Sequence, residues 1–215
     1  SSLGGEYEVL FNGVEVDRGA QVEPWPTDGP TIFFIGRHEP RKGLSVLLDA
    51  MGMLGPEVRL WVAGVGPETE ELRSRVAGDP RIEWLGRIPD AERTARLRGA
   101  DAFCAPSLRG ESFGVVLLEG MACGTPVVAS DIRGYARVAR GGDDALLVPP
   151  GDFEALGAAL GKVLADRDLA DRLVDSGLQR AEEFSMKRLA EHYLEAYAAV
   201  AGERAYYAGR PHGDD

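Results

Sequence analysis

Arg109 to Asp131 reads RGESFGVVLLEGMACGTPVVASD, and this stretch decides the fold. Ser112 is a good N-cap, because its hydroxyl can accept from the free N–H groups that open a helix. Val115 to Ala122 is apolar except for Glu119 and Gly120. A helix apolar on nearly every side is a buried one. Gly124 suits the left-handed stop after a helix, and Pro126 cannot continue it. Val127, Val128 and Ala129 then read as a short buried strand. The stretch is therefore loop, buried helix and buried strand, the repeating unit of an α/β sheet.

Two carboxylates stand out in it. Glu119 lies on the buried helix and needs a partner there. Glu111 lies just before the helix, and eight residues of helix span about 12 Å at 1.5 Å per residue. That is too far for an acid/base pair on one bond. Two such groups can instead grip the two ends of an extended ligand. Between them lies a helix N-terminus, whose free N–H groups and partial positive charge suit a phosphate. A nucleotide-diphosphate sugar has that layout: sugar hydroxyls, diphosphate, ribose. The competing reading is a surface Glu111 and a Glu119 paired with a core arginine. Spacing alone does not choose between the two.

Outward from this stretch the same alternation repeats. Strands are expected at Thr31–Ile35, Val58–Ala63, Ile82–Leu85, Ala102–Ala105, Pro126–Ala129 and Ala145–Val148. Between them, helices are expected after Gly43 to about Leu54, at Glu68–Val76, at about Asp90–Arg98 and, briefly, at Gly134–Arg140. Continuous apolar strands with helical crossovers predict a Rossmann-like, doubly wound parallel sheet covered on both faces. From Asp152 onward apolar residues recur at spacings of three and four, predicting helices at Phe153–Leu164, Leu169–Glu183 and Met186 to about Val200. The division expected is a junction segment over 1–30, a nucleotide-binding domain with C-terminal helices over 31–200, and a disordered tail over 201–215. Within the first segment Glu8–Phe11 reads as a fragment of strand before the turn Asn12-Gly13.

Composition narrows the function. A net charge of −11 on 215 residues disfavours nucleic acid and anionic lipid as partners of the whole surface. Cys104 and Cys123 sit in apolar runs without CxxC spacing, which predicts buried, reduced thiols and a cytoplasmic compartment. No apolar run is long enough to span a bilayer. No DxD-like or His-rich ligand set is present, so no metal site is expected.

In a doubly wound sheet, ligands bind beyond the carboxyl ends of the strands. Arg37 and Lys42 follow the first strand, in a Gly-bounded loop that opens a helix. They form a basic pair suited to a diphosphate. Gly64-x-Gly66 follows the second strand, but Pro67 and Thr69 break the dinucleotide fingerprint, and no Walker loop is present. Asp90 can meet a base edge or cap the helix beginning near it. His38 is the only histidine near these loops, and no complete catalytic constellation of acid, base and nucleophile is visible.

Gly36-Arg37-x4-Lys42-Gly43, the Glu111-x7-Glu119 pair within GESFGVVLLEGMACGTPVVASD, and the order of elements together resemble the C-terminal half of a retaining GT-B glycosyltransferase of glycosyltransferase family 4. The wording DAFCAPSLRGESFGVVLLEGMACGTPVVASD is most similar to the actinobacterial phosphatidyl-myo-inositol mannosyltransferases, which use GDP-mannose. The resemblance implies roles. Arg37 and Lys42 would hold the donor diphosphate and stabilise the leaving nucleotide, and Glu111 would face the transferred sugar. Backbone N–H groups around Ser112, Phe113, Gly114 and Val115 would contact phosphate, and Glu119 the ribose hydroxyls. Gly36, Gly64, Ile88, Asp90 and Arg93 would complete the donor site. Arg93 stands where those mannosyltransferases carry Lys near the base. The loop from Gly36 to Lys42 is one residue shorter than theirs. The implied donor is a nucleotide-diphosphate sugar, GDP-mannose first and UDP- or ADP-glucose as alternatives, with no cofactor or essential metal. A non-catalytic nucleotide-sugar-binding module is the remaining alternative.

The resemblance also implies an N-terminal acceptor domain carrying the membrane contacts, at the inner face of the plasma membrane. The chain opens at about the interdomain junction. The expectation is therefore a donor half that binds nucleotide weakly and does not transfer sugar alone.

Overall fold

The computed structural model describes residues 13–16 and 21–208, with side chains through residue 198. Six strands form one sheet: β1 (Thr31–Ile35), β2 (Arg59–Ala63), β3 (Ile82–Gly86), β4 (Ala102–Ala105), β5 (Val127–Ser130) and β6 (Leu146–Val148). Every pairing is parallel, and the order across the sheet is β3-β2-β1-β4-β5-β6. The expected Rossmann-like, doubly wound α/β sheet is therefore the observed fold.

The strands are short and apolar because both faces are covered. Successive residues of β1 point to opposite sides. Phe33 joins a core with Trp61, Phe103 and Val127. Ile32 and Phe34 join a second core with Leu60, Cys104 and Val128. Helices α3 (Asp90–Gly99) and α4 (Val115–Ala122) close the first core through Leu97, Leu117, Leu118 and Met121. Helices α1 (Leu44–Ala50), α2 (Thr69–Arg75) and α5 (Phe153–Ala165) close the second through Leu47, Leu72 and Leu160. Each fully buried Leu or Phe contributes about 1.5–3 kcal/mol. Helix α6 (Arg167–Glu183) packs along α4, and α7 (Met186–Ala208) follows it.

Several local expectations change. Helix α4 begins at Val115, with Gly114 at its N-cap and no side-chain cap, so Ser112 does not cap it. Ser112 is exposed, and its carbonyl accepts from Arg137 at 3.3 Å. Helix α3 is preceded by Pro89 in extended conformation, and Asp90 is its first residue rather than its cap. The helix expected over Gly134–Arg140 is a single 3-10 turn, Tyr135–Arg137. Helix α7 runs on to Ala208, beyond the Val200 expected from sequence. Residues 209–215 lie outside the described residues, as does the strand expected at Glu8–Phe11.

The segment read as irregular before β1 is anchored. Trp25 donates its N–H to Ala95 O at 2.8 Å. Arg96 lies 4.4 Å from the Trp25 ring and 4.7 Å from the Trp61 ring, and it donates to Glu92 at 2.9 Å. A buried guanidinium between two aromatic faces is held by charge–quadrupole attraction as well as by its carboxylate.

Candidate functional site

The direction of chain crossing reverses between β1 and β4, so the loops after these neighbouring strands diverge and leave a crevice at the carboxyl edge. The loop after β1 carries Gly36 to Gly43, and the loop after β4 carries Pro106 to Gly114. Across the crevice, Lys42 Nζ donates to Glu111 Oε1 at 2.6 Å. Arg41 reaches the same oxygen at 3.2 Å, and Ser107 Oγ donates to it at 3.1 Å. Ser107 is also 2.9 Å from the Tyr135 hydroxyl. Arg37 is not part of this contact. Its side chain is 67% exposed and meets Glu39 at 3.4 Å. Glu39 in turn binds Arg41 Nε at 2.7 Å. The two basic residues expected as a pair from sequence are thus not in contact: Arg37 connects to Lys42 through Glu39, Arg41 and Glu111.

The second half of the site lies along α4. Glu119 Oε1 is 3.3 Å from Arg93 on α3, and Arg93 also meets Asp90 at 3.5 Å. A cleft of about 280 Å³ opens here, lined by Asp90, Arg93, Val115, Glu119, Cys123 and Met186. Glu119 therefore has an arginine partner, as the competing reading foresaw, but Arg93 is 31% exposed rather than in the core, and both residues border a cleft. Cys104 is buried, but Cys123 is only half-buried and lines the cleft, which corrects the expectation of two buried thiols. Burial pushes the Cys123 thiol up to about 11, so it is protonated at neutral pH.

The remaining sequence candidates frame these two halves. Gly36 N–H donates to Ala63 O at 3.2 Å, and Gly64 N–H to Gly86 O at 2.7 Å, so the edges of three strands meet there. Ile88 packs against the first core. Phe113 is buried edge-on against Phe184 with ring centroids 5.5 Å apart. Gly114 has φ +99°, a left-handed conformation that lets the chain turn from the Glu111 loop into α4. His38 is buried and its Nδ1 lies 2.9 Å from Thr69 Oγ1. Burial pushes its imidazole below the usual value, which favours the neutral form.

Sequence reading missed Glu39, Arg41, Ser107 and Tyr135. The alternation Arg37-x-Glu39-x-Arg41 was visible, and so was a serine two positions past an apolar strand. Nothing in the sequence tied Tyr135 to Glu111. Among the described residues, no group of three or more His, Cys, Asp or Glu side chains is placed to hold a metal ion. No helix among them is long and apolar enough to cross a membrane.

Residues 16–180 match the family of glycosyl transferases, group 1. The chain belongs to that family. The group 1 domain is 42% identical over 208 residues to a phosphatidyl-myo-inositol mannosyltransferase of Mycobacterium leprae, a match covering 93% of this chain and 55% of that protein. It thus spans about half the length of the curated relatives it matches. Among solved structures, sucrose-phosphate synthase from Thermosynechococcus elongatus superposes with a TM-score of 0.81 at 28% identity, over 94% of this chain and 54% of that one. Anabaena Alr3699/HepE in complex with UDP-glucose superposes with a TM-score of 0.79 at 21% identity, over 89% and 57%. The second likeness shows the fold alone.

The Glu119 environment gives a pH prediction. Burial pushes its carboxyl up, the Arg93 guanidinium opposes this, and Asp90 adds to it. The folded-state value lies above the unfolded one, near 4.3. The stabilising contribution is therefore complete at acid pH and is lost as pH rises through the folded-state value. Glu119→Gln is expected to melt with the parent below the unfolded-state value, and increasingly above the parent as pH rises from there through the folded-state value. Melting curves across that range check this. A parent that gains on the variant as pH rises would mean that the Arg93 attraction outweighs burial.

Proposed function

We propose that this chain is the donor-nucleotide half of a retaining glycosyltransferase that moves a hexosyl group, mannose from GDP-mannose, to a phosphatidylinositol-type or related glycoconjugate acceptor. The observation that carries the reading is the meeting of Lys42 and Arg41 with Glu111 at the sheet's crevice, joined by α4 to the Glu119–Arg93 cleft. A cationic end and a nucleoside-sized cleft then flank one helix N-terminus, which matches diphosphate and ribose on an extended donor. The likeness to a protein named phosphatidyl-myo-inositol mannosyltransferase supports mannose and the lipid acceptor.

On this reading Lys42, Arg37 and the N–H groups from Ser112 to Val115 receive the diphosphate. As the glycosidic bond breaks, negative charge grows on the leaving nucleotide, and preorganised cations and backbone donors lower that barrier. Glu111 faces the sugar, Glu119 takes the ribose hydroxyls, and Gly64, Ile88, Asp90 and Arg93 border the base. The cation set suffices for this charge without a metal. Acceptor recognition belongs to the rest of the intact protein, which a lipid acceptor would bring to the inner face of the plasma membrane.

Calorimetric titration of this chain with GDP, UDP and ADP tests the donor. GDP is expected to bind at least about tenfold more tightly than the other two, the margin set by hydrogen bonds to the base edge. Preference for UDP or ADP would move the donor to a glucosyl nucleotide and keep the site. If none binds to the folded chain or to the intact protein, the donor reading fails.

A further inference from the structure

We propose that the buried Tyr135–Ser107 hydroxyl pair is the positioning device for Glu111, holding one carboxylate oxygen still while the cations beside it turn to the donor phosphates. This rests on the donor-domain reading above.

Glu111 Oε1 accepts from Lys42 Nζ at 2.6 Å, Arg41 at 3.2 Å and Ser107 Oγ at 3.1 Å. No described residue donates to Oε2. The three donors are unlike. Lys42 and Arg41 are long side chains, 20% and 39% exposed, able to share themselves with an arriving anion. Ser107 and Tyr135 are 2% and 1% exposed and meet at 2.9 Å. An ionised carboxylate only accepts, so Ser107 spends its single O–H on Glu111. Its oxygen is then left to accept from the Tyr135 hydroxyl. The relay has one direction: Tyr135 to Ser107 to Glu111.

The backbone holds the same parts together. A Cβ on Gly134 would stand 2.0 Å from the Glu111 carbonyl oxygen, and one on Gly114 would stand 3.0 Å from the Tyr135 ring. The turn after β5 is therefore pressed against both ends of the Glu111–Gly114 loop. When the diphosphate draws Lys42 and Arg41 away, Ser107 alone among the described residues remains on Oε1. Without it the carboxylate is free to follow the cations, and its position against the sugar is lost. The nucleotide, held by the cations, the α4 N-terminus and the Glu119 cleft, is affected much less.

The test uses the intact transferase with Ser107→Ala, Ser107→Thr, Tyr135→Phe and Glu111→Gln, each first shown by melting to be folded. Ser107→Ala is expected to lower kcat about tenfold, and Tyr135→Phe about threefold, with KM and nucleoside-diphosphate affinity held within about twofold. Ser107→Thr, which keeps the hydroxyl, is expected to recover kcat to within about threefold of the parent. Folded Ser107→Ala and Tyr135→Phe proteins with parental kcat would overturn the positioning role. If Glu111→Gln were still impaired, the donor reading would survive that result. A Ser107→Ala protein that loses nucleotide affinity and kcat together, with no recovery in Ser107→Thr, would reduce the pair to packing and also overturn it. Parental kcat in Glu111→Gln would remove both this proposal and the sugar-facing role of Glu111.

Discussion

If this chain is the proposed donor half, Lys42→Ala is expected to lower kcat/KM of the intact protein about a thousandfold, the scale seen when one preorganised donor to a developing charge is removed. Lys42 Nζ stands 2.6 Å from Glu111, and its side chain is 20% exposed. It is thus partly desolvated, where a cation acts more strongly than in water. The neighbouring arginines support Lys42 but do not take over its position. Arg41 divides its donors among Glu39 at 2.7 Å, Glu111 and the Gly110 carbonyl, so it adds to Lys42 at the phosphates without replacing its short contact, and Arg37 is largely in solvent. Stability should change little, because Glu111 keeps Arg41 and Ser107, and a partly exposed ion pair contributes about 1 kcal/mol or less. Steady-state kinetics together with melting checks both halves of this expectation. A folded Lys42→Ala enzyme within about tenfold of the parent would show that Lys42 does not meet the leaving diphosphate.

The second large effect falls on a glycine. Gly43 has φ +67° and caps α1, and a Cβ there would stand 1.9 Å from the Pro106 carbonyl oxygen. Alanine would meet the left-handed penalty of about 1–2 kcal/mol and a backbone collision that no rotamer can relieve. The collision is between the two loops that bring Lys42 to Glu111. Gly43→Ala is therefore expected to destabilise the domain by about 3 kcal/mol or more, and to lower Tm by about 6–12 °C at this size. Activity should fall with it, because the loops must part. Gly52→Ala is the control, since nothing lies within 4 Å of its Cβ position. Denaturant unfolding of the two variants should separate them cleanly. Equal midpoints would mean that the loop absorbs the methyl group without cost.

Much of the fold was legible because buried parallel strands are written in apolar residues. TIFFI, RLWVA and AFCA each sit between turn residues, and each became a strand. Boundaries were less legible where a neighbour decided them. Ser112 had the chemistry of a cap, yet α4 starts after Gly114, whose left-handed φ fits it beside the Tyr135 ring. Trp25 looked like part of an irregular run, and its role appeared only when α3 brought Arg96 beneath it. Both are tertiary overrides of a local preference.

By itself the sequence determined the order of strands and helices, the apolar layers on both sides of the sheet, and the residues that mark the family. These follow from periodicity, turn chemistry and local spacing, which neighbours along the chain carry. The tertiary structure decided which of those residues meet. Lys42 and Glu111 are 69 positions apart, and Ser107 and Tyr135 are 28 apart. They converge because β4 lies beside β1 while β2 and β3 lie on its other side. Strand order is settled by which buried faces pack best and by the handedness of the crossovers, so no local pattern in the chain announces it.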